Sequence, residues 1–234
     1  MRFTVVIPTY KREKKLKRCI KSILNGKKKE VVIYAIHDQG DEETADEIRS
    51  EFRDTGKVVS YALPGHNYVI GIWNWFARTC WMGIKDAMVW IVDDVELDKN
   101  CLREVEKVFT SKYQDFDGVV GISQRCQGDK GIHGTPYGQM AIGKKFINRY
   151  PDKQLCCKAY THFYQDEELW KYAKSLNKFT WADKALLTHY HPCFVPKEMD
   201  ATHKIVRGAT MKADKLIYED RKKRGLIWGQ SFEL

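Results

Sequence analysis
Hydrophobic positions along the first half of the chain fall into two alternating rhythms. Phe3-Thr4-Val5-Val6-Ile7 is a nearly continuous apolar run closed by Pro8, the pattern of a strand buried on both faces of a parallel sheet. From Arg12 to Leu24 the apolar residues Leu16, Cys19, Ile20, Ile23 and Leu24 recur at helical spacing, with lysines and arginines opposite and Asn25-Gly26 as a stop. The rhythm repeats: a buried strand over Val31 to Ile36, then a helix with inward Ala45, Ile48 and Phe52 and acidic residues in its first turn. Val58 to Leu63 predicts a third strand, stopped by Pro64-Gly65, Ile70 to Ile84 a largely buried helix, and Met88 to Val92 a fourth strand. Strands alternating with helices predict an α/β fold with a mostly parallel, twisted sheet flanked by helices.

Beyond Asp94 the rhythm loosens. Leu102 to Phe109 reads as a helix and Val119 to Ile122 as a short strand, while Gln124 to Tyr137 is glycine-rich and without period, a loop of functional length. Asp166 to Leu176 predicts a further helix, Ala185 to Thr188 a strand, and Thr210 to Arg224 an amphipathic basic helix. No repeat, low-complexity block or linker interrupts the chain, and 234 residues suit a single compact domain.

Charge and cysteine usage narrow the class. A net charge of +9 implies an anionic partner: nucleotide phosphates, nucleic acid or an acidic lipid surface. The seven cysteines are odd in number and lack Cys-x-x-Cys spacing, which argues against a disulfide framework or zinc ribbon and fits a reducing, cytoplasmic setting. Met1 leads straight into a strand with no signal-peptide pattern, and no apolar run is long enough for a transmembrane segment.

The chemistry concentrates where Val89-Trp90-Ile91-Val92 runs into Asp93-Asp94. Carboxylates at the carboxyl end of a strand sit where open α/β sheets bind ligands. Two hard oxygen donors there suit Mg²⁺ or Mn²⁺ carrying a phosphorylated substrate, because those cations keep open positions for phosphate oxygens.

Three blocks in order, Val5-Val6-Ile7-Pro8-Thr9-Tyr10-Lys11-Arg12, Ile36-His37-Asp38-Gln39-Gly40-Asp41-Glu42-Glu43-Thr44 and Val92-Asp93-Asp94-Val95-Glu96-Leu97, resemble family 2 glycosyltransferases of the GT-A fold. The similarity covers residues 3–110 well and 135–191 more loosely. It implies that Pro8, Thr9, Tyr10 and Asp38 hold the base and ribose of a nucleotide-sugar donor, with Arg12 near its phosphates beside Lys11, Lys14 and Lys15. The carboxylate pair matches the family's Asp-x-Asp motif in part, since Val92 stands where an aspartate is common. The resemblance then assigns Asp94 to a divalent cation, Mn²⁺ or Mg²⁺, and Asp93 to the ribose or the metal shell.

Inverting transfer requires a carboxylate to deprotonate the acceptor hydroxyl. The family places it in an acidic pair at a helix start, which maps to Asp166 first and Glu167 second; a dipole-stabilising first turn is the structural alternative. Thr188-His189-Tyr190-His191 follows an apolar strand, and the family's metal-binding histidine maps best to His189, with His191 facing the same side. His133 on the glycine-rich loop, Trp181 and His191 are weaker acceptor-site candidates. The implied organisation is a nucleotide-sugar-binding half over 1–125, an acceptor-binding and catalytic half over 126–200, and a basic helical tail over 201–234.

The donor expected from these blocks is a UDP-sugar, and the reaction an inverting hexosyl or pentosyl transfer. Two acceptors are compatible with the charge: a surface glycan or lipid precursor, or a hydroxymethylated base in DNA, the latter suiting a phage-encoded DNA-modification enzyme in a host cytoplasm. Competing classes are a nucleotidyltransferase, disfavoured by the lack of Gly-x-x-x-x-Gly-Lys and Gly-x-Gly-x-x-Gly loops, and a non-catalytic nucleic-acid-binding protein, favoured by charge alone.

Overall fold
The computed structural model describes residues 1–65, 67–126, 132–133, 138–192 and 195–234, with 126, 132, 133 and 209 described by backbone only. The first half follows the predicted rhythm: β1 (Phe3–Thr9), α1 (Glu13–Leu24), β2 (Val31–His37), α2 (Glu42–Glu51), β3 (Val58–Ala62), α3 (Tyr68–Thr79), β4 (Ala87–Trp90), β5 (Val95–Leu97) and α4 (Cys101–Lys112). The second half adds β6 (Val119–Cys126), β7 (Ile132–His133), β8 (Met140–Gly143), the short α5 (Lys144–Ile147), α6 (Gln165–Ser175), β9 (Phe179–His189) and α7 (Ala201–Lys223).

The strands form one sheet in the order β3-β2-β1-β4-β8-β6-β9-β5, with β7 paired to β6. Pairing is parallel from β3 through β4, antiparallel on both sides of β8, and parallel again between β6 and β9. Every residue of β1 is buried, as a strand covered on both faces requires. Phe3, Val5 and Ile7 pack with α1 and α4 in one core, while Val6 joins Trp73, Phe76 and Leu169 in a second core on the opposite face. Trp73 and Trp90 stack at 4.3 Å in that second core, which accounts for two of the tryptophans.

Several expectations shift. The helix predicted over Ile70 to Ile84 ends at Thr79, and Trp81–Gly83 forms a separate 3₁₀ turn. β8 is four buried residues, Met-Ala-Ile-Gly, too short to show a period. β9 is far longer than Ala185 to Thr188, because exposed Asp183 and Lys184 interrupt its apolar pattern where its pairing with β6 shifts register. The loop expected from Gln124 to Tyr137 begins as β6 and returns as β7; residues 127–131 and 134–137 lie outside the described residues.

The basic C-terminal segment is no free tail. α7 starts at Ala201, well upstream of Thr210, because the Asp200 carboxylate caps the His203 N–H at 2.9 Å. It is fastened to α6 along its length: Arg221 pairs with Glu168 at 2.8 Å, both buried, and Glu168 also receives the Tyr160 hydroxyl and the Trp228 N–H. Asp214, fully buried, accepts the consecutive N–H groups of Thr161, His162 and Phe163 at 2.7–2.9 Å. Among the described residues no helix is long and apolar enough to cross a membrane.

Candidate active site
The carboxyl ends of β1, β2 and β4 and the end of β9 open into one cavity of about 460 Å³, walled on the other side by α3, the segment before α6, and the first turns of α7. Of the residues singled out from sequence, Pro8, Thr9, Tyr10, Arg12, Asp38, Asp93, Asp94, His189 and His191 all line it. Strand order explains the convergence, since β2, β1 and β4 are neighbours and their following loops share one edge.

Two buried aspartates hold the loops that follow β1 and β2. Asp38 accepts the N–H groups of Gln39 at 3.0 Å, Asn67 at 2.8 Å and Tyr68 at 3.2 Å, so most of its acceptor capacity fixes the start of α3. Asp41, missed from sequence, accepts the Lys11 N–H at 2.8 Å and the His37 ring at 2.9 Å, and His37 is in turn bonded to Ser60. Both grip backbone in the left-handed region, Tyr68 at φ 49° and Lys11 at φ 51°. Such non-glycine residues cost about 1–3 kcal/mol each and persist where neighbours over-determine them.

The carboxylate pair is deeply buried and served by one guanidinium. Arg12 donates to Asp93 at 2.6 Å, to Asp94 at 3.0 Å and to Asp200 at 3.0 Å. Burial would lower its pKa, but these carboxylates raise it further above the usual arginine range. Thr9 donates its hydroxyl to Asp93 at 2.7 Å. Burial pushes the Asp93 carboxyl up despite Arg12, whereas Asp94, for which burial acts in the same sense, is held well below the usual range by His189, His203 and Arg12.

His189 supplies the test of whether these residues suit a cation. Its Nδ1 lies 3.0 Å from Gln124 Oε1, an acceptor, which turns the ring proton to that side and the lone pair of Nε2 toward Asp94. His189 Nε2 and Asp94 Oδ1 stand 3.2 Å apart, both buried and neither hydrogen-bonded. The gap between these buried atoms takes a positive charge, which the imidazolium proton of His189 or a bound cation supplies. Two ligands at right angles around an ion with bonds near 2.1 Å lie about 3 Å apart, so the pair fits a divalent metal. Among the described residues, no larger group of His, Cys, Asp or Glu is spaced to hold one with the side chains as they stand.

The remaining candidates separate. Asp166 is not itself part of the lining, but Gln165 and Gly138 beside it are. Burial pushes its carboxyl up to about 7, opposed by N–H donors from its own backbone, Glu167 and Gly138. Glu167 turns the other way, accepting the Tyr218 hydroxyl and pairing with Lys171 at 2.9 Å, so it is engaged in fastening α6 to α7. Trp181 does not reach the cavity: it packs over Gly121, where a Cβ would sit 2.4 Å from its ring, and against Phe179. The side chain of His133 lies outside the described residues.

Sequence reasoning missed His162 and His203, both of which line the cavity. His162 Nδ1 is buried without a partner, and burial pulls that ring down to about 4, as it does His191, so both are neutral near pH 7. The available signal was compositional: four of the chain's seven histidines meet in this one cavity.

The fold and the site define an α/β protein with a cavity at the strand ends beside a carboxylate–histidine pair. Residues 1–174 match the family model described as "Glycosyltransferase like family 2", and the chain belongs to that family of glycosyltransferases. No curated protein matches it in sequence. Among solved structures it is similar to S. aureus TarS 1-349 in complex with UDP, with 14% identity, TM-score 0.61, and 87% of this chain and 68% of that one covered. It is also similar to the mannosyltransferase PcManGT from Pyrobaculum calidifontis in complex with GDP-Man and Mn²⁺, with 13% identity, TM-score 0.63, and 93% and 64% covered. These likenesses carry the GT-A fold.

Proposed function
We propose that the protein is a metal-dependent, inverting glycosyltransferase that moves a sugar from a nucleoside diphosphate sugar, a UDP-sugar, to an acceptor hydroxyl. The observation that carries this reading is the facing pair Asp94 Oδ1 and His189 Nε2, 3.2 Å apart in a cavity also lined by Pro8, Thr9, Tyr10 and Asp38. Asp94 and His189 would hold Mn²⁺ or Mg²⁺, which when bound supplies Lewis-acid neutralisation of the departing diphosphate. The complexes of the similar structures with UDP and with GDP-Man and Mn²⁺ support the same chemistry.

On this reading the Pro8–Tyr10 loop flanks the nucleoside, and Asp38 keeps acceptor capacity for an imide N–H beyond its three backbone bonds. Arg12, with three carboxylates around it, is the cation nearest the diphosphate position. Asp166 takes the acceptor hydroxyl proton; the oxygen attacks the anomeric carbon from the face opposite the nucleotide, and the bond to the diphosphate oxygen breaks. A carboxyl near 7 is well matched to that task, because a general base works best with a pKa close to the operating pH.

Residues 1–125 then form the donor half, 126–200 carry the base and much of the acceptor side, and 201–234 close the cavity. Val69, Ile72, Trp73, Phe163, Val206 and Met211 give the cavity an apolar stretch, which favours an acceptor with a ring or apolar face beside its hydroxyl, as in a glycan–lipid precursor or an extruded nucleobase. A panel of UDP-, GDP- and CDP-sugars with Mn²⁺ or Mg²⁺, read as nucleoside diphosphate release, tests the reading. Turnover is expected only with metal, and Asp94→Asn is expected to lower it by about 10³-fold with little change in thermal stability. Absence of metal-dependent binding or turnover with every donor would overturn it.

A further inference from the structure
The outward face of α7, beyond the segment that matches the family, combines free charge with exposed apolar surface. Thr210, Asp214, Tyr218 and Arg221 turn inward and are buried, which fixes the opposite side of the helix toward solvent. Four exposed bases stand on its first half, Lys204, Arg207, Lys212 and Lys215, and the only acid between Ala201 and Leu216 is the buried Asp214. None of the four meets a carboxylate among the described residues, whereas Lys15, Lys17 and Lys21 of α1 each pair with one at 2.8 Å.

The same stretch, Lys204 to Leu216, holds three of the eight large hydrophobic side chains that are exposed among the described residues: Ile205 at 57%, Met211 at 39% and Leu216 at 66%. Ile205 and Leu216 are three helical turns apart and so share one stripe. Aliphatic side chains beside unneutralised lysines suit a surface that is anionic outside and apolar just beneath. Lysine stems lie along the apolar layer while their ammonium groups stay among the headgroups. A nucleic-acid backbone would satisfy the charges but leave Leu216 in water. Ile205, Arg207 and Met211 also line the cavity, so its mouth opens beside this face.

We propose that α7 docks the protein on an anionic membrane surface, with Lys204, Arg207, Lys212 and Lys215 against the headgroups and Ile205 and Leu216 entering the layer beneath them. The helix lies on the bilayer and does not cross it, being neither long nor apolar enough to span. Docked this way, the cavity mouth faces the lipid surface, and a hydroxyl carried on a lipid reaches it without leaving the membrane. The docking surface goes beyond the sugar-transfer reading and stands or falls separately from it.

The test is co-sedimentation of the full chain with phosphatidylcholine vesicles, with and without phosphatidylglycerol and at rising salt, beside a parallel titration with duplex DNA. The wild-type protein is expected to bind the anionic vesicles about tenfold or more tightly than the neutral ones, and to lose that binding as salt rises. Lys212→Glu combined with Lys215→Glu is expected to weaken anionic-vesicle binding by about tenfold or more, and Leu216→Ser by about threefold. Thermal midpoints should not move in either variant, because all three side chains are exposed. The Leu216→Ser effect separates lipid from nucleic acid, since contact with phosphates alone is indifferent to it. Absence of binding to anionic vesicles, or equal binding by the wild type and the charge-reversed variant, would overturn the proposal. Tighter binding to the duplex than to the vesicles, unchanged by Leu216→Ser, would also overturn it and assign the face to nucleic acid.

Discussion
The two walls of the cavity are built on different principles. The strand-end wall, from β1, β2, β4 and β9, carries the charges, and its positions follow from sheet register and from buried carboxylates gripping backbone. The helical wall, from α3, α6 and α7, carries most of the apolar surface and depends on side-chain fastenings between helices far apart in sequence. The first wall needs little beyond neighbouring strands to exist, whereas the second exists only once α7 has docked. The cavity is thus bounded on one side by strand ends and on the other by helices fastened to one another.

The sharpest way to break this division is to remove the proposed base, Asp166, at the start of α6. Asp166→Asn is expected to lower turnover by about 10²–10⁴-fold while nucleotide binding at the strand-end wall survives. The wild-type acid limb of kcat/KM should rise with pH around 7, where Asp166 becomes ionised. The same carboxyl has a folded pKa above its unfolded value near 4, so its support for folding is full below about 4 and is lost as pH rises through about 7. Thermal melts of Asp166→Asn should lack that component of the pH dependence, and an unchanged acid limb in a mutant that still turns over would remove Asp166 as the base.

A smaller effect concerns assembly. Arg221→Met leaves Glu168 buried without its partner and is expected to cost about 3–5 kcal/mol of stability, seen as a lower denaturant midpoint. If α7 were a loosely attached basic tail serving only nucleic-acid contact, the midpoint would not move. The smallest expected effect lies on the strand-end wall. Thr9→Val removes one hydroxyl bond to Asp93, which keeps Arg12, and should cost about 1–2 kcal/mol with little change in the metal requirement.

Legibility in the sequence followed the same division. β1, β2 and β4 announce themselves by short apolar runs, and their loops carry Pro8-Thr9-Tyr10, Asp38 and Asp93-Asp94, so local pattern led directly to the residues lining the cavity. Asp41 escaped because it sits among other acidic residues before α2, and nothing local distinguishes the one whose carboxylate turns inward. His203 escaped for a different reason: its place in the cavity depends on where α7 docks, and the fastenings that dock it join residues 53 and 51 positions apart, Glu168 with Arg221 and Glu167 with Tyr218. Trp181 misled because an aromatic side chain on an apolar strand reads equally as a stacking platform or as core, and only the bare backbone of Gly121 beneath it decides.

The carboxylate of Asp214 has a consequence for how this protein can be divided. It collects three successive backbone N–H groups from the turn that leads into α6, and so joins the far end of the chain to the segment bearing His162 and, a few residues on, Asp166. The segment matched by the family ends at residue 174, yet the turn before α6 is held in shape by a residue forty positions later. The bounds of the family match therefore do not bound the structure that shapes this turn. A transplant or minimal version drawn at the family border would keep the acidic helix start and lose the hand that aims it.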